Sequence, residues 1–495
     1  MTDTKRINVS RLIKTKIVCT LGPASATYEV LEQLLLAGMD VVRLNFSHGA
    51  HEEHKKLFDT VRTLSKNYDH QLSIICDIQG PKIRTGKMAE PFTVYPGDKI
   101  DVTPSTILGT KECIQIKYEN LLQDLHPKDT IFINDGIIKL VVEKKNETTL
   151  TCVVEAGGVI SNHKGCNIPS GHLSVNVITP KDKEDLKFIA TLNPEWVASS
   201  FIGSAADVKH VRNTLKEFGN ENIKIISKIE RPSALTNLDE IIEVTDAIMV
   251  ARGDLGVEID TWDVPIAQKT MCRKCNAAGK PVIVATQMLE SMTSAPRPTR
   301  AEASDVFNAV LDGADAVMLS GETSVGKYPV ETVRVMDKIV ETAEKHLPPR
   351  VPQEFNSKHV AMTETIALGT IEMAMNFGRI GFTGKIIVVT GPPSGYVCRM
   401  VSKFRPPLDI ISITDDLRTA LELNLVWGVR SCYDDHLKNI SDYEERNAAA
   451  VRRALSLGFI TKEDHVIIVS RSGLGKHVGS ATGIYHVKEV IERNK

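Results

Sequence analysis

The sequence predicts an α/β protein: eight parallel strands alternate with helices and close into a barrel, a small β domain is inserted after the third strand, and a further α/β domain follows. Three observations lead there. Short runs rich in Val, Ile and Cys alternate with segments of 3.6-residue periodicity, which is how parallel βα units are punctuated. The alternation stops after Gly80-Pro81 in favour of hairpin signals and then resumes until the strands number eight. A turn-rich stretch, residues 347–354, then separates this pattern from a third one.

Taken in order, strands are expected at residues 16–21, 41–47 and 73–78, with helical periodicity at 28–37 and 51–64. Between residues 81 and 177, Pro96-Gly97, Asn134-Asp135-Gly136 and Gly157-Gly158 punctuate short β-rich runs such as 131–134 and 137–142, and Asn-Asp-Gly between such runs signals a hairpin. The βα rhythm returns with runs at 196–202, 224–230, 247–254, 281–287 and 316–322, separated by helical segments such as 205–218, 267–278 and 301–311. Three strands before the interruption and five after it give the count of a TIM (β/α)8 barrel, with the insert in the loop after strand 3. The expected division is an N-terminal segment 1–13, a barrel from 14–80 and 178–348, an inserted small β-barrel domain at 81–177, and a C-terminal α/β domain at 349–495. Strands of the last domain are read at 386–390, 409–413 and 466–470.

Composition narrows the function. Lysine plus arginine number 60 against 62 aspartate plus glutamate, a net charge of -2, so nothing biases the chain towards nucleic acid or anionic lipid. Aromatic residues at 5% argue against a stacking platform for single strands. No stretch approaches 18 consecutive apolar residues, and residues 1–16 carry no apolar core of a signal peptide, so a membrane span is not expected. Nine scattered cysteines fit reduced thiols in the cytoplasm; Cys272 and Cys275 have a metal-site spacing but no second pair, and are read as ordinary thiols.

Chemistry in such a barrel belongs at the carboxyl ends of the strands. Strand 2 ends Val41-Val-Arg-Leu-Asn-Phe-Ser-His48, and a period of two puts Arg43, Asn45 and Ser47 on one face. A structural salt bridge for Arg43 is the competing reading. Strand 5 places Lys228 and Glu230 together, strand 6 places Arg252 and Asp254 together with Gly253 between them, and strand 7 ends Ala285-Thr-Gln287. Two carboxylates, Glu230 and Asp254, without a His or Cys at ligand spacing suit a hard divalent cation such as Mg²⁺. With Lys228 and Arg43 beside it, that ion would face a phosphorylated anion, the set of parts phosphoryl transfer uses. Gly321-Glu-Thr-Ser-Val-Gly-Lys327 imitates a phosphate-binding P-loop, but Tyr328 stands where Ser or Thr would hold the metal, so it is read as the loop after strand 8.

These residues identify a resemblance to the pyruvate kinase family, running from about Lys14 to the C-terminus. It rests on Lys16-Ile-Val-Cys-Thr-Leu-Gly-Pro-Ala-Ser25, Arg43-Leu-Asn-Phe-Ser-His-Gly49, Gly80-Pro-Lys-Ile-Arg-Thr-Gly86, Ile226-Ser-Lys-Ile-Glu230, Met249-Val-Ala-Arg-Gly-Asp-Leu-Gly256, Ala285-Thr-Gln-Met-Leu-Glu-Ser-Met292 and Pro298-Thr-Arg-Ala-Glu302, in that order. The resemblance implies transfer of the phosphoryl group of phosphoenolpyruvate to ADP, giving ATP and pyruvate, by a cytoplasmic homotetramer. It implies catalytic and substrate-binding roles for Arg43, Lys228 and Thr286, with the backbone of Gly253 and Asp254 on the substrate carboxylate. Mg²⁺, with Mn²⁺ as an alternative, would be held by Glu230 and Asp254. Asn45, His48, Arg84 and Lys164 match nucleotide-contacting positions, and the insert carrying Lys164 acts as a lid in this family.

Departures from the family pattern carry expectations too. Asn45, Ser47, Asp77 and the Ile78 carbonyl occupy the K⁺-site positions, but Lys82 stands where many members have Glu, and its ammonium would supply the charge K⁺ brings. K⁺ is therefore expected not to be required. Gly203-Ser204 replaces a basic pair after strand 4. In the C-terminal domain, Thr390, Ser394 and Gly395 lie in a loop between strand and helix that suits an anion or is a turn with no ligand, and Arg471 and Lys476 lie in a second glycine-rich basic loop; related enzymes bind sugar phosphates or nucleotides here, so the resemblance implies a phosphorylated activator. A Mg²⁺-dependent barrel aldolase or mutase and an inactive effector-binding paralogue remain as rivals.

Overall fold

The computed structural model describes residues 13–169, 173–347, 362–381, 384–390, 395–474 and 477–492. Eight parallel strands close into a barrel: β1 (Lys16–Thr20), β2 (Val41–Asn45), β3 (Ser73–Ile78), β4 (Trp196–Ser199), β5 (Lys224–Ile229), β6 (Ala247–Ala251), β7 (Val282–Ala285) and β8 (Ala316–Leu319). Closure is made by β8 against β1, in the register Lys16↔Ala316 to Cys19↔Leu319.

Alternation along each strand divides the core in two. Val18, Val41, Ile75, Ala198, Ile226, Met249, Ile283 and Met318 point into the barrel. Their neighbours Ile17, Cys19, Val42, Leu44, Ile74, Cys76, Ile225 and Val284 pack outward under the helices. The period of two then dictates the mouth: Arg43 lies two residues past Val41, Asp77 two past Ile75, and Lys228 two past Ile226, so all three turn inward.

The chain leaves the barrel after β3 and forms a six-stranded sheet, in which the strands Cys166–Asn167, Thr130–Ile133, Ile138–Lys145, Leu150–Ala156, Lys99–Thr103 and Cys113–Gln115 are neighbours in that order, with two two-stranded sheets beside it. Its core, including Val102, Ile131, Leu140 and Val154, is separate from that of the barrel. The hairpin turn Asn134-Asp135-Gly136 takes φ of 60, 55 and 85°, left-handed values that Asn, Asp and Gly tolerate best.

The C-terminal domain has the strand order β11 (Val429–Tyr433), β10 (Ile410–Thr414), β9 (Gly384–Thr390), β12 (His465–Leu474) and β13 (His477–His486), with only the last pairing antiparallel. It closes the base of the barrel: Leu425, fully buried, belongs to the barrel's interior cluster. Around it, Arg405 pairs with Asp315 at 3.0 Å, Lys16 Nζ donates to the Val429 carbonyl at 2.7 Å, and Lys14 Nζ donates to the carbonyls of Pro406 and Pro407. Among the described residues, no helix is long and apolar enough to cross a membrane.

Candidate active site at the barrel mouth

An ion cluster forms where β2, β3 and β5 end. The Nε and one terminal nitrogen of Arg43 both lie 2.7 Å from Asp77 Oδ2, and its other terminal nitrogen donates to Thr20 Oγ1 at 3.0 Å. Lys228 Nζ lies 3.3 Å from Asp77 Oδ1 and 3.0 Å from Glu230 Oε1, and donates to Ser200 Oγ at 2.6 Å. Asp77 and Glu230 are each 1% exposed. Burial pushes the Asp77 carboxyl up, but Lys228 and Arg43 outweigh it and hold the group below the usual carboxylate range. Burial likewise pushes the Lys228 ammonium down, and Asp77 and Glu230 more than reverse that, so Lys228 stays charged.

Glu230 titrates the other way. Burial raises it, Lys228 draws it down, and the Asp254 carboxylate adds to the upward push. Its Oε2 accepts the Phe201 N–H at 2.7 Å, a bond available because Phe201 turns into the left-handed region at φ 58° just after β4. Asp254 is exposed and carries no side-chain hydrogen bond among the described residues. Two oxygen donors that repel each other at the mouth, one buried and one open to incoming ligand, fit a divalent cation that takes its remaining oxygens from substrate. Among the described residues, no group of three or more His, Cys, Asp or Glu forms a rival metal site.

β6 ends earlier than the period of two suggests. The strand stops at Ala251 and the helix Arg252–Glu258 begins at once, so Arg252 and Asp254 share no strand face. Arg252 instead fastens β7 from behind, donating to the Thr286 carbonyl at 2.7 Å and pairing with Asp305 at 2.6 Å. The first helical turn offers Gly253 and Asp254 to the mouth, and the Gly253 N–H donates to Thr286 Oγ1 at 2.7 Å. Thr286 and Gln287 both have positive φ, 68 and 54°, and so turn the Thr286 hydroxyl back over the helix start.

The remaining sequence-derived positions group in two places. Asn45 ends β2 and accepts the Ser47 N–H on Oδ1 at 3.1 Å; His48 is exposed, with its carbonyl oxygen 2.8 Å from His54 Nε2. Arg84 and Lys164 meet in the insert, where Arg84 bridges to Gly165 and donates to the His163 carbonyl at 2.9 Å. Lys82 is exposed and makes no ion pair among the described residues. The Ile78 carbonyl accepts the Ser200 hydroxyl at 2.9 Å. Ser204 caps the helix Ala205–Glu217 by accepting from the Asp207 N–H, which gives the Gly203-Ser204 departure a local structural use. Ser394 and Lys476, and the side chains of Thr390 and Arg471, lie outside the described residues. Gly395 has φ 51° and caps the helix Tyr396–Ser402; a Cβ there would meet Leu423 at 2.8 Å. The P-loop look-alike folds as a short helix, Gly321–Ser324, whose buried Glu322 accepts N–H bonds from Leu289 and Ser320. Cys272 and Cys275 are buried in the helix Val264–Ala278, and burial pushes Cys275 up. Sequence reasoning missed Ser200, Thr20 and Phe201; two successive serines at the end of β4 were the one available signal.

Two family models match the chain in succession: the pyruvate kinase barrel domain over residues 12–333 and the pyruvate kinase alpha/beta domain over residues 364–482. Similar curated proteins include the pyruvate kinases of Sporosarcina psychrophila and Geobacillus stearothermophilus, each 41% identical over 469 residues, covering 94% of this chain and 78% of the relative. Among solved structures, a pyruvate kinase from Cryptosporidium parvum superposes with a TM-score of 0.87 at 35% identity, covering 97% of both chains.

Proposed function

The chain belongs to the pyruvate kinase family and is a kinase, and from that premise we propose how its own residues move a phosphoryl group between phosphoenolpyruvate and ADP. The observation that carries the reading is the buried Arg43–Asp77–Lys228–Glu230 cluster. Asp77 fixes both cations, so Arg43 is aimed at the substrate phosphate and Lys228 at the oxygens where charge gathers as the phosphoryl leaves. Cations held in place before the reaction need no reorganisation during it. Ser200 sets the Lys228 rotamer through its 2.6 Å bond. The backbone of Gly253 and Asp254 at the helix start would face the substrate carboxylate, with the Gly253 N–H shared with Thr286 Oγ1. The Thr286 hydroxyl, which accepts the Gly253 N–H, would hydrogen-bond the substrate near the path by which the enolate carbon is protonated.

Glu230 and Asp254 would hold Mg²⁺, or Mn²⁺ in its place; when bound, the ion supplies charge neutralisation on the transferred group. Asn45, His48, Arg84 and Lys164 would contact the nucleotide, the last two carried by the insert acting as a lid. We read the chain as working without K⁺. The K⁺-site positions support this: Asn45 Oδ1 is engaged by the Ser47 N–H, both Asp77 oxygens by Arg43 and Lys228, and the Ile78 carbonyl by Ser200, while Lys82, exposed and without an ion pair among the described residues, would bring its charge in place of the ion. A phosphorylated effector at Thr390, Ser394, Gly395, Arg471 and Lys476, a homotetramer and a cytoplasmic location complete the proposal, with domains dividing at 14–80 plus 178–348, 81–177 and 349–495.

The test is pyruvate formation from phosphoenolpyruvate and ADP with Mg²⁺ in tetramethylammonium buffer. The expected rate is unchanged by added K⁺, and Lys82→Glu is expected to create a K⁺ requirement. A large activation of the unaltered protein by K⁺ overturns the K⁺-free reading, and no pyruvate under any condition overturns the whole. For the effector, Ser394→Ala with Lys476→Ala should abolish activation by sugar phosphates; unchanged activation moves that site elsewhere.

A further inference from the structure

One buried carboxylate has no part in the chemistry above. Glu258 ends the helix Arg252–Glu258, is 8% exposed, and accepts one hydrogen bond, from Asn167 Nδ2 at 2.9 Å. Asn167 belongs to the insert: it closes the strand Cys166–Asn167, three residues past Lys164. The sole direct polar partner of the Glu258 side chain among the described residues is therefore on the other domain.

The neighbourhood ties this contact to the mouth on both sides. The first turn of the same helix carries Gly253 and Asp254. Val257, the residue before, faces the insert's hairpin, where a Cβ on Gly136 would stand 3.6 Å from Val257 Cγ1. Arg231 follows Glu230 directly, lies over the Phe201 ring at 5.0 Å, and its charge draws the Glu258 carboxyl down against burial. Phe201 in turn holds Glu230 through its N–H. A seven-residue helix thus has the insert attached at its last residue and an oxygen donor at its first turn.

We propose that Glu258 is a positioning residue: its bond to Asn167 latches the insert onto the helix that carries Asp254, so that insert position and mouth geometry are set together. The inference rests on the reading of Asp254 as a metal donor and Lys164 as a nucleotide contact, and adds the element that couples them. Separating the domains breaks the hydrogen bond that Asn167 Nδ2 donates to Glu258, so the bond favours the latched arrangement.

The test uses the full chain and five variants: Glu258→Ala, Glu258→Gln, Asn167→Ala, the double alanine variant of Glu258 and Asn167, and Asp254→Ala. Glu258→Ala and Asn167→Ala should each raise the KM for ADP on the order of tenfold, the effect of losing one such bond, with the KM for phosphoenolpyruvate within about twofold. The double variant should be no worse than either single one, as for one shared interaction. Glu258→Gln keeps an acceptor for Asn167 and should restore most of the ADP affinity. Hydrogen exchange of the amides of Lys164 and Cys166, measured without metal or nucleotide, should speed up in both alanine variants and not in Glu258→Gln. Additive KM effects, or unchanged exchange, overturn the latch. Faster exchange together with Mg²⁺ dependence unaltered by Asp254→Ala leaves the latch standing and overturns the metal assignment instead.

Discussion

The two ends of the barrel are built from the same eight strands and solve opposite problems. At the base, Leu425 of the C-terminal domain caps an apolar interior, and the buried cations are tied to groups of the protein: Arg405 by its terminal nitrogens to Asp315 and the Gly313 carbonyl, its Nε unpartnered, and Lys16 to the Val429 carbonyl. At the mouth, the same inward positions carry Arg43, Asp77 and Lys228, and the cations share one aspartate while Asp254 is left without a hydrogen bond among the described residues. Burial of charge alone does not distinguish function from structure here. What distinguishes the mouth is an open carboxylate, Asp254, set beside a buried cluster of two cations and two further carboxylates.

That contrast can be broken or sharpened by substitution. The largest effect is expected at the mouth: Lys228→Met should lower kcat by roughly a thousandfold, the scale of losing one preorganised charge, while the thermal midpoint moves little. A loss below about tenfold in steady-state pyruvate formation would remove Lys228 from its assigned role. At the base, Arg405→Met should do the reverse. Removing one member of a buried ion pair costs roughly 3–5 kcal/mol, readable in urea unfolding, with kcat per folded molecule unchanged. Leu425→Ala comes next, at about 3 kcal/mol for a large buried side chain truncated to alanine; a cost near zero would mean that the base is not sealed by this residue.

The smallest effect is a pH slope. Burial pushes the Glu258 carboxyl up to about 7, against the Asn167 hydrogen bond and Arg231, with Asp254 and Glu230 adding to the push. Its folded value lies above its ordinary one, so the folded state holds a proton that the unfolded state releases. The stability contributed by the neutral acid is complete below about pH 4.5 and is lost as pH rises through about 7. Glu258→Gln should flatten unfolding free energy across that window; an unchanged slope assigns the titration to another group.

Much of the barrel was legible because its signals are local. A period of two put Arg43 on one face with Asn45 and Ser47 and set Lys228 with Glu230, Asp77 entered only through the family resemblance, and Asn134-Asp135-Gly136 announced a hairpin that the structure forms with three positive φ values. The pairing between them was not legible, because Asp77 meets Arg43 and Lys228 across strands that are far apart in sequence. Arg252 was misread for a related reason: the two-residue period was carried past Ala251, where a helix had already begun. Ser200 and Phe201 act through a rotamer and a left-handed backbone turn, neither of which a residue pattern encodes. In the C-terminal domain β11 and β13 escaped notice, since their alternation is short or interrupted by Gly479 and Gly483.

We propose above all a divalent cation held at the mouth by Glu230 and the open carboxylate of Asp254, beside Lys228. The most direct measurement is the initial rate of pyruvate formation as Mg²⁺ is titrated, comparing the unaltered protein with Asp254→Asn. Half-saturation at a Mg²⁺ concentration at least about tenfold higher in the variant, as expected for one lost charged donor among few, is the predicted result. Superimposable titration curves would contradict it.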